Sequence, residues 1–165
     1  MKKLLIVVCL FALAGVESTF AQQEKGDYYA EEELIEPASN RLEPSDMILG
    51  LWWSPQKDAQ IKIYKEDGKY FGKIIWLNDP SLVDERNEDP ELRGRPIMGI
   101  DLLKGFEYNS RKKEWAEGMV YEPYRGKFYD SYMKVDKRNS DKLKVRGFIM
   151  NTRFLGETET FTRVK

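Results

Sequence analysis

From residue 48 onward the chain is a succession of short runs in which apolar and polar residues alternate, with turn residues between them. The repeat is two, the period of a β-strand with one buried face. In Leu143–Ile149, for example, Leu143, Val145 and Ile149 fall on one side and Lys144 and Arg146 on the other. QIKIYKEDGKYFGKIIWL, residues 60–77, carries Asp67-Gly68 between two β-rich runs, the signature of a two-residue hairpin turn. Further runs occupy 104–109, 113–122, 126–136, 141–150 and 156–164, and a first one begins at Gly50-Leu51-Trp52-Trp53. Together they predict eight strands. Only residues 97–103 show an apolar spacing that suits a short helix.

Nearly all the links are short, which makes consecutive strands antiparallel neighbours. Eight such strands close into an up-and-down barrel, a shape without exposed edges; a two-sheet sandwich is the alternative. The expected fold is therefore all-β: one eight-stranded antiparallel up-and-down barrel. One connection is long, NDPSLVDERNEDPELRGRPIMG at 78–99, and long links often serve as lids or binding loops. It is expected to overhang a barrel mouth. Adjacent strand residues face opposite sides, so Trp52 and Trp53 cannot both enter the barrel. Trp52, in phase with Gly50, is expected inside and Trp53 outside.

The N-terminus changes the picture of where this barrel works. Lys2 and Lys3 precede the apolar run Leu4–Val16, and Thr19-Phe20-Ala21 offers small residues for a cut after Ala21. That is the layout of a cleaved secretory signal, and the run is too short to span a bilayer about 30 Å thick. The expected organisation is a signal at 1–21, an acidic leader at 22–46 and a barrel domain at 47–165, in a protein that is exported to the periplasm or the medium. Residues 22–46 hold 8 acidic and 2 basic groups without a sustained apolar period and read as a solvated segment. Residues 47–165 hold 19 acidic and 23 basic groups, too mild and scattered an excess to suggest nucleic acid.

Cys9 lies within the expected signal, and the chain has no histidine, so the mature protein would have neither residue. Disulfides, Ser-His-Asp and Cys-His catalysis, and zinc sites with His or Cys ligands then fall away. Neither a cofactor nor a resident metal is expected. Asp84, Asn87 and Asp89 could offer oxygen atoms to calcium, but their spacing lacks the glycine of a calcium loop and suits local turn capping better. Arg95, in the same loop, could meet an anion or pair with neighbouring carboxylates. Glu117, Glu122, Asp130, Glu157 and Glu159 are candidate acid–base groups for a carboxylate-dependent hydrolase, a reading set behind exposed strand positions.

Gly50-Leu51-Trp52 on the first strand, with Thr162-Arg163 on the last, resembles the lipocalin-like (calycin) barrels. In those proteins the tryptophan plugs one barrel end and an arginine lies across it, which implies a structural plug of Gly50, Trp52 and Arg163. A closer resemblance spans residues 48–164. Tyr70-Phe71-Gly72-Lys73-Ile74, Asp84 with Asn87, Arg95-Pro96-Ile97-Met98-Gly99, Gly118-Met119-Val120-Tyr121-Glu122-Pro123, Val145-Arg146-Gly147-Phe148 and Phe161-Thr162-Arg163 follow one another as in the domain of unknown function 2147 family. The chain departs from that pattern at Glu122, Arg125 and Phe161. The resemblance implies a small lipocalin-like barrel outside the cytoplasm and brings no established activity. Two functions suit such a barrel. One is a non-enzymatic binding protein for a small, partly apolar or amphipathic ligand, lined by Tyr70, Trp76, Trp115, Tyr129 and Arg146. The other is a filled barrel that meets an envelope protein partner.

Overall fold

The computed structural model describes residues 43–165; the expected signal and residues 22–42 of the leader lie outside them. Eight strands, β1 (Gly50–Trp53), β2 (Ala59–Glu66), β3 (Lys69–Leu77), β4 (Asp101–Asn109), β5 (Glu114–Glu122), β6 (Lys127–Val135), β7 (Lys142–Phe148) and β8 (Gly156–Arg163), pair in sequence order. All pairings are antiparallel, and β1 closes on β8 through Trp52–Arg163 and Trp53–Thr162. The β2–β3 hairpin turns on Asp67 and Gly68, both at positive φ (48° and 76°), as its tight turn requires.

Register decides what faces inward. Ile61 pairs with Ile74, Ile63 with Gly72, Gly72 with Leu103, and Leu103 with Val120. Across the other wall Val120 pairs with Tyr129, Met133 with Val145, and Leu143 with Phe161. These positions share the inner face. Trp52, Tyr70, Phe106, Trp115, Leu103, Met133 and Leu143 are each less than 2% exposed and fill the lower barrel. Each such side chain contributes roughly 1.5–3 kcal/mol by leaving water.

A single 3-10 turn, Pro44–Asp46, forms the floor. The Trp115 indole donates to the Ser45 carbonyl at 2.9 Å, while Tyr70 and Lys65 donate to the Asp46 carboxylate at 2.7 and 2.8 Å. Residues 43–46, expected to be part of a solvated leader, therefore belong to the barrel. Hydrogen bonds from Lys65 and Tyr70 hold the Asp46 carboxyl below the usual carboxylate range.

The two walls differ in height. β7 and β8 pair over seven residue positions, whereas β1 and β8 pair over two. Residues 156–161 of β8 thus rise above the short β1 side, and the inner face of β5–β8 stands open there. Two expectations fail here. Residues 97–103 form no helix, because Asp101 is drawn into the sheet beside Lys73. Ile149 lies past the end of β7 and is exposed instead of sharing the inner face of Leu143 and Val145.

Candidate functional site

The closed end is built around Trp52, which is fully buried and donates its indole N–H to the Ile48 carbonyl at 2.8 Å. The Arg163 guanidinium stands 4.2 Å from the ring centre and donates to the carbonyls of Leu49 and Met47 at 3.0 and 2.6 Å. Gly50 sits at φ 117° with Arg163 against it, so a side chain there would crowd the guanidinium. The cation–π contact and the two hydrogen bonds pin the last strand to the chain entering the first.

The open end is different in chemistry. Glu159 pairs with Val145 and Glu157 with Gly147, which places both carboxylates on the inner face of β8. Val120 and Tyr129 share that face on β5 and β6, and both are half-buried. Glu159 remains open to solvent, yet desolvation pushes its carboxyl up, helped by the charges of Glu122, Glu157 and Asp58. Arg125 lies beside the Tyr129 hydroxyl, with Glu157 and Glu122 within electrostatic reach. The mouth thus combines an aromatic ring and a valine with three carboxylates and one arginine.

The long connection, residues 78–100, is fixed to the rim by a buried polar cluster. Asp84 is fully buried and accepts from the Tyr121 hydroxyl at 2.6 Å, from Asn87 at 2.7 Å and from Arg95 Nε at 3.1 Å. Asn87 also donates to the Tyr121 oxygen at 2.9 Å. Burial and the adjacent Asp84 carboxylate push the Tyr121 phenol up to about 12. Gly126, at φ 70°, lets the β5–β6 hairpin touch this loop; a Cβ there would run into the Arg86 carbonyl. Since Val120 faces inward, Tyr121 faces outward, and the loop closes on it from outside rather than overhanging the opening. Asp89 caps the 3-10 turn Pro90–Leu92 by accepting from the Glu91 amide at 3.0 Å. Among the described residues no group of acidic side chains is arranged to hold a metal ion.

The candidate lining residues scatter. Tyr70 and Trp115 face inward but are buried against the floor. Tyr129 reaches the mouth. Trp76 points outward against Trp53, ring centres 5.5 Å apart, because the irregularity at Gln60/Ile61 makes Ile75 an extra residue and reverses the phase. Arg146 also points outward, as strict alternation with Val145 requires, and binds the carbonyls of Arg153 and Phe154 at 2.7 and 3.0 Å. Asp84, Asn87 and Arg95 do come together, but they bind one another and Tyr121. The partner missing from the sequence reading is Tyr121, whose signals were its place in the hairpin run before Pro123 and in the family motif Gly118–Pro123.

The family described as uncharacterized protein conserved in bacteria, DUF2147, matches residues 50–163. The chain belongs to this family. Among solved structures it is similar to protein HP1028 from the human pathogen Helicobacter pylori, described as belonging to the lipocalin family. The two share 22% identity and a TM-score of 0.61, over 71% of this chain and 82% of that one. No curated protein sequence matches. This DUF2147 protein thus has a lipocalin-like barrel, and at that identity the likeness concerns the fold alone.

Proposed function

We propose that this DUF2147 protein is an exported, non-enzymatic binding barrel that holds a small, partly apolar ligand in its upper mouth. The observation that carries the reading is the unequal extent of the β1–β8 and β7–β8 pairings, which leaves the inner face of β8 exposed at Glu157 and Glu159, with Val120, Glu122 and Tyr129 half-buried on the facing strands. Barrel mouths with a few polar groups set among apolar ones are common ligand sites. The carboxylates there disfavour anionic ligands by like-charge repulsion. Neutral or positively charged amphiphiles fit this lining better than fatty carboxylates.

Native mass spectrometry of the protein purified without denaturation tests the idea. A discrete small-molecule adduct is expected, and Glu159→Trp, which places an indole in the mouth, should remove it. A bare mass, or an adduct indifferent to that substitution, would sink the proposal. The second reading, a filled barrel that meets an envelope partner, draws on the packed lower interior and on the exposed apolar residues of the β7–β8 loop.

A further inference from the structure

The β7–β8 loop, residues 149–155, carries four large apolar side chains in the open: Met150 is 83% exposed, Phe154 80%, Ile149 47% and Leu155 44%. Scattered single apolar residues on a surface need no explanation, whereas four on one seven-residue loop do. The loop is not a loose tip. Ile149 donates to the Leu155 carbonyl, Thr152 to that of Ile149 and Leu155 to that of Thr152, at 2.9–3.1 Å. Arg146 clamps two more loop carbonyls from the outer wall. Met150 and Asn151 adopt left-handed backbone angles (φ 56° and 54°). That conformation suits asparagine and is unfavourable for methionine, so the fold holds the most exposed apolar side chain of the loop in a strained presentation.

The surroundings of the loop are cationic. Glu114, 1% exposed, is met by Arg153 at 2.7 Å, Lys134 at 3.0 Å and Lys112 at 4.0 Å. Arg146 adds a fourth cation and Asp130, paired with Phe148 at the base of the loop, a second carboxylate, so these six groups carry an excess of two positive charges. Among the described residues no helix is long and apolar enough to cross a membrane. Exposed apolar side chains beside a cationic cluster are the composition of a peripheral contact with anionic lipid, where each basic group near the surface adds attraction and each apolar one inserts.

We infer that the β7–β8 loop docks the barrel on an anionic lipid surface, with Met150 and Phe154 entering the headgroup boundary and the Arg146–Arg153–Lys112–Lys134 cluster facing the phosphates. This stands on the loop and its cations, independently of any ligand in the mouth. The test is co-sedimentation of the chain, as recovered from the producing bacterium, with vesicles of phosphatidylglycerol and phosphatidylethanolamine or of phosphatidylcholine alone. Met150→Ser with Phe154→Ser is compared in the same background, so that the N-terminal segment contributes equally to both. Both positions are at least four-fifths exposed, and an unchanged circular dichroism melt verifies the fold. The expected result is binding to the anionic vesicles, about tenfold weaker for the double variant and about tenfold weaker on phosphatidylcholine. Equal partitioning of the variant and the parent overturns the inference, as does equal binding to both vesicle types. Absence of sedimentation with either overturns it too and leaves the loop to a protein partner.

Discussion

At the residue scale, two side chains carry testable consequences. Trp52 fills the closed end, and its replacement by alanine removes a fully buried ring beneath a guanidinium. Trp52→Ala is expected to cost about 3–5 kcal/mol in denaturant unfolding, the range for large aromatic truncations in a core. Arg163→Lys should fall well short of that loss while still weakening the floor, because an ammonium cannot donate in a fork to two carbonyls. Tyr121 offers a test in alkali. Its phenol is raised to about 12 in the folded protein, so its contribution is complete below pH 10 and disappears as pH rises through 12. Two pK units correspond to roughly 2–3 kcal/mol. Base unfolding should steepen between those values, and Tyr121→Phe should lose that added slope while also costing about 1–3 kcal/mol at neutral pH. Glu159 has the opposite position on the scale. Burial and its neighbours raise it, so the folded state loses stability as pH climbs through that raised value, and Glu159→Gln should flatten the decline.

At the element scale, the strands were largely legible because period-two alternation and turn residues both act locally. Asp67-Gly68 dictates its hairpin whatever surrounds it, and Gly50 and Trp52 share a side by simple parity. What a single sequence hides is the bulge. Counting by twos puts Trp76 with Ile74 inside; one extra residue, Ile75, turns it out to Trp53 instead. Arg146 was misplaced for a different reason, since its own alternation with Val145 already pointed it outward. The long connection was legible as a loop, but its anchoring was not, because Asp84 and Tyr121 meet only once two distant segments are folded. Gly126→Ala gives that anchoring a direct check. The added methyl collides with the Arg86 carbonyl and forces the loop from the hairpin. Limited proteolysis should then cut within residues 78–100 well before the barrel itself, whereas unchanged cleavage would mean that the loop is held some other way.

At the scale of the molecule, the barrel divides its labour between a stoppered, aromatic lower half and an upper half whose inner wall stands clear of its neighbours. The lower half accounts for stability without disulfides, through rings packed against Pro44–Asp46 and Ile48. The upper half places valine, tyrosine and carboxylates where water still reaches. That asymmetry arises from strand length alone: β1 has four residues and β8 has eight. It was not readable beforehand, since the sequence marks where β1 begins but not how soon its hairpin turns back. The most direct test of mouth binding is an NMR titration of the isotope-labelled protein with decanol, and with decanoate as the anionic counterpart. Decanol should shift the amides of Val120, Tyr129, Glu157 and Glu159 while those around Trp52 stay still, with decanoate weaker at the same residues. Shifts confined to the outer wall, or none with either compound, would contradict a binding mouth.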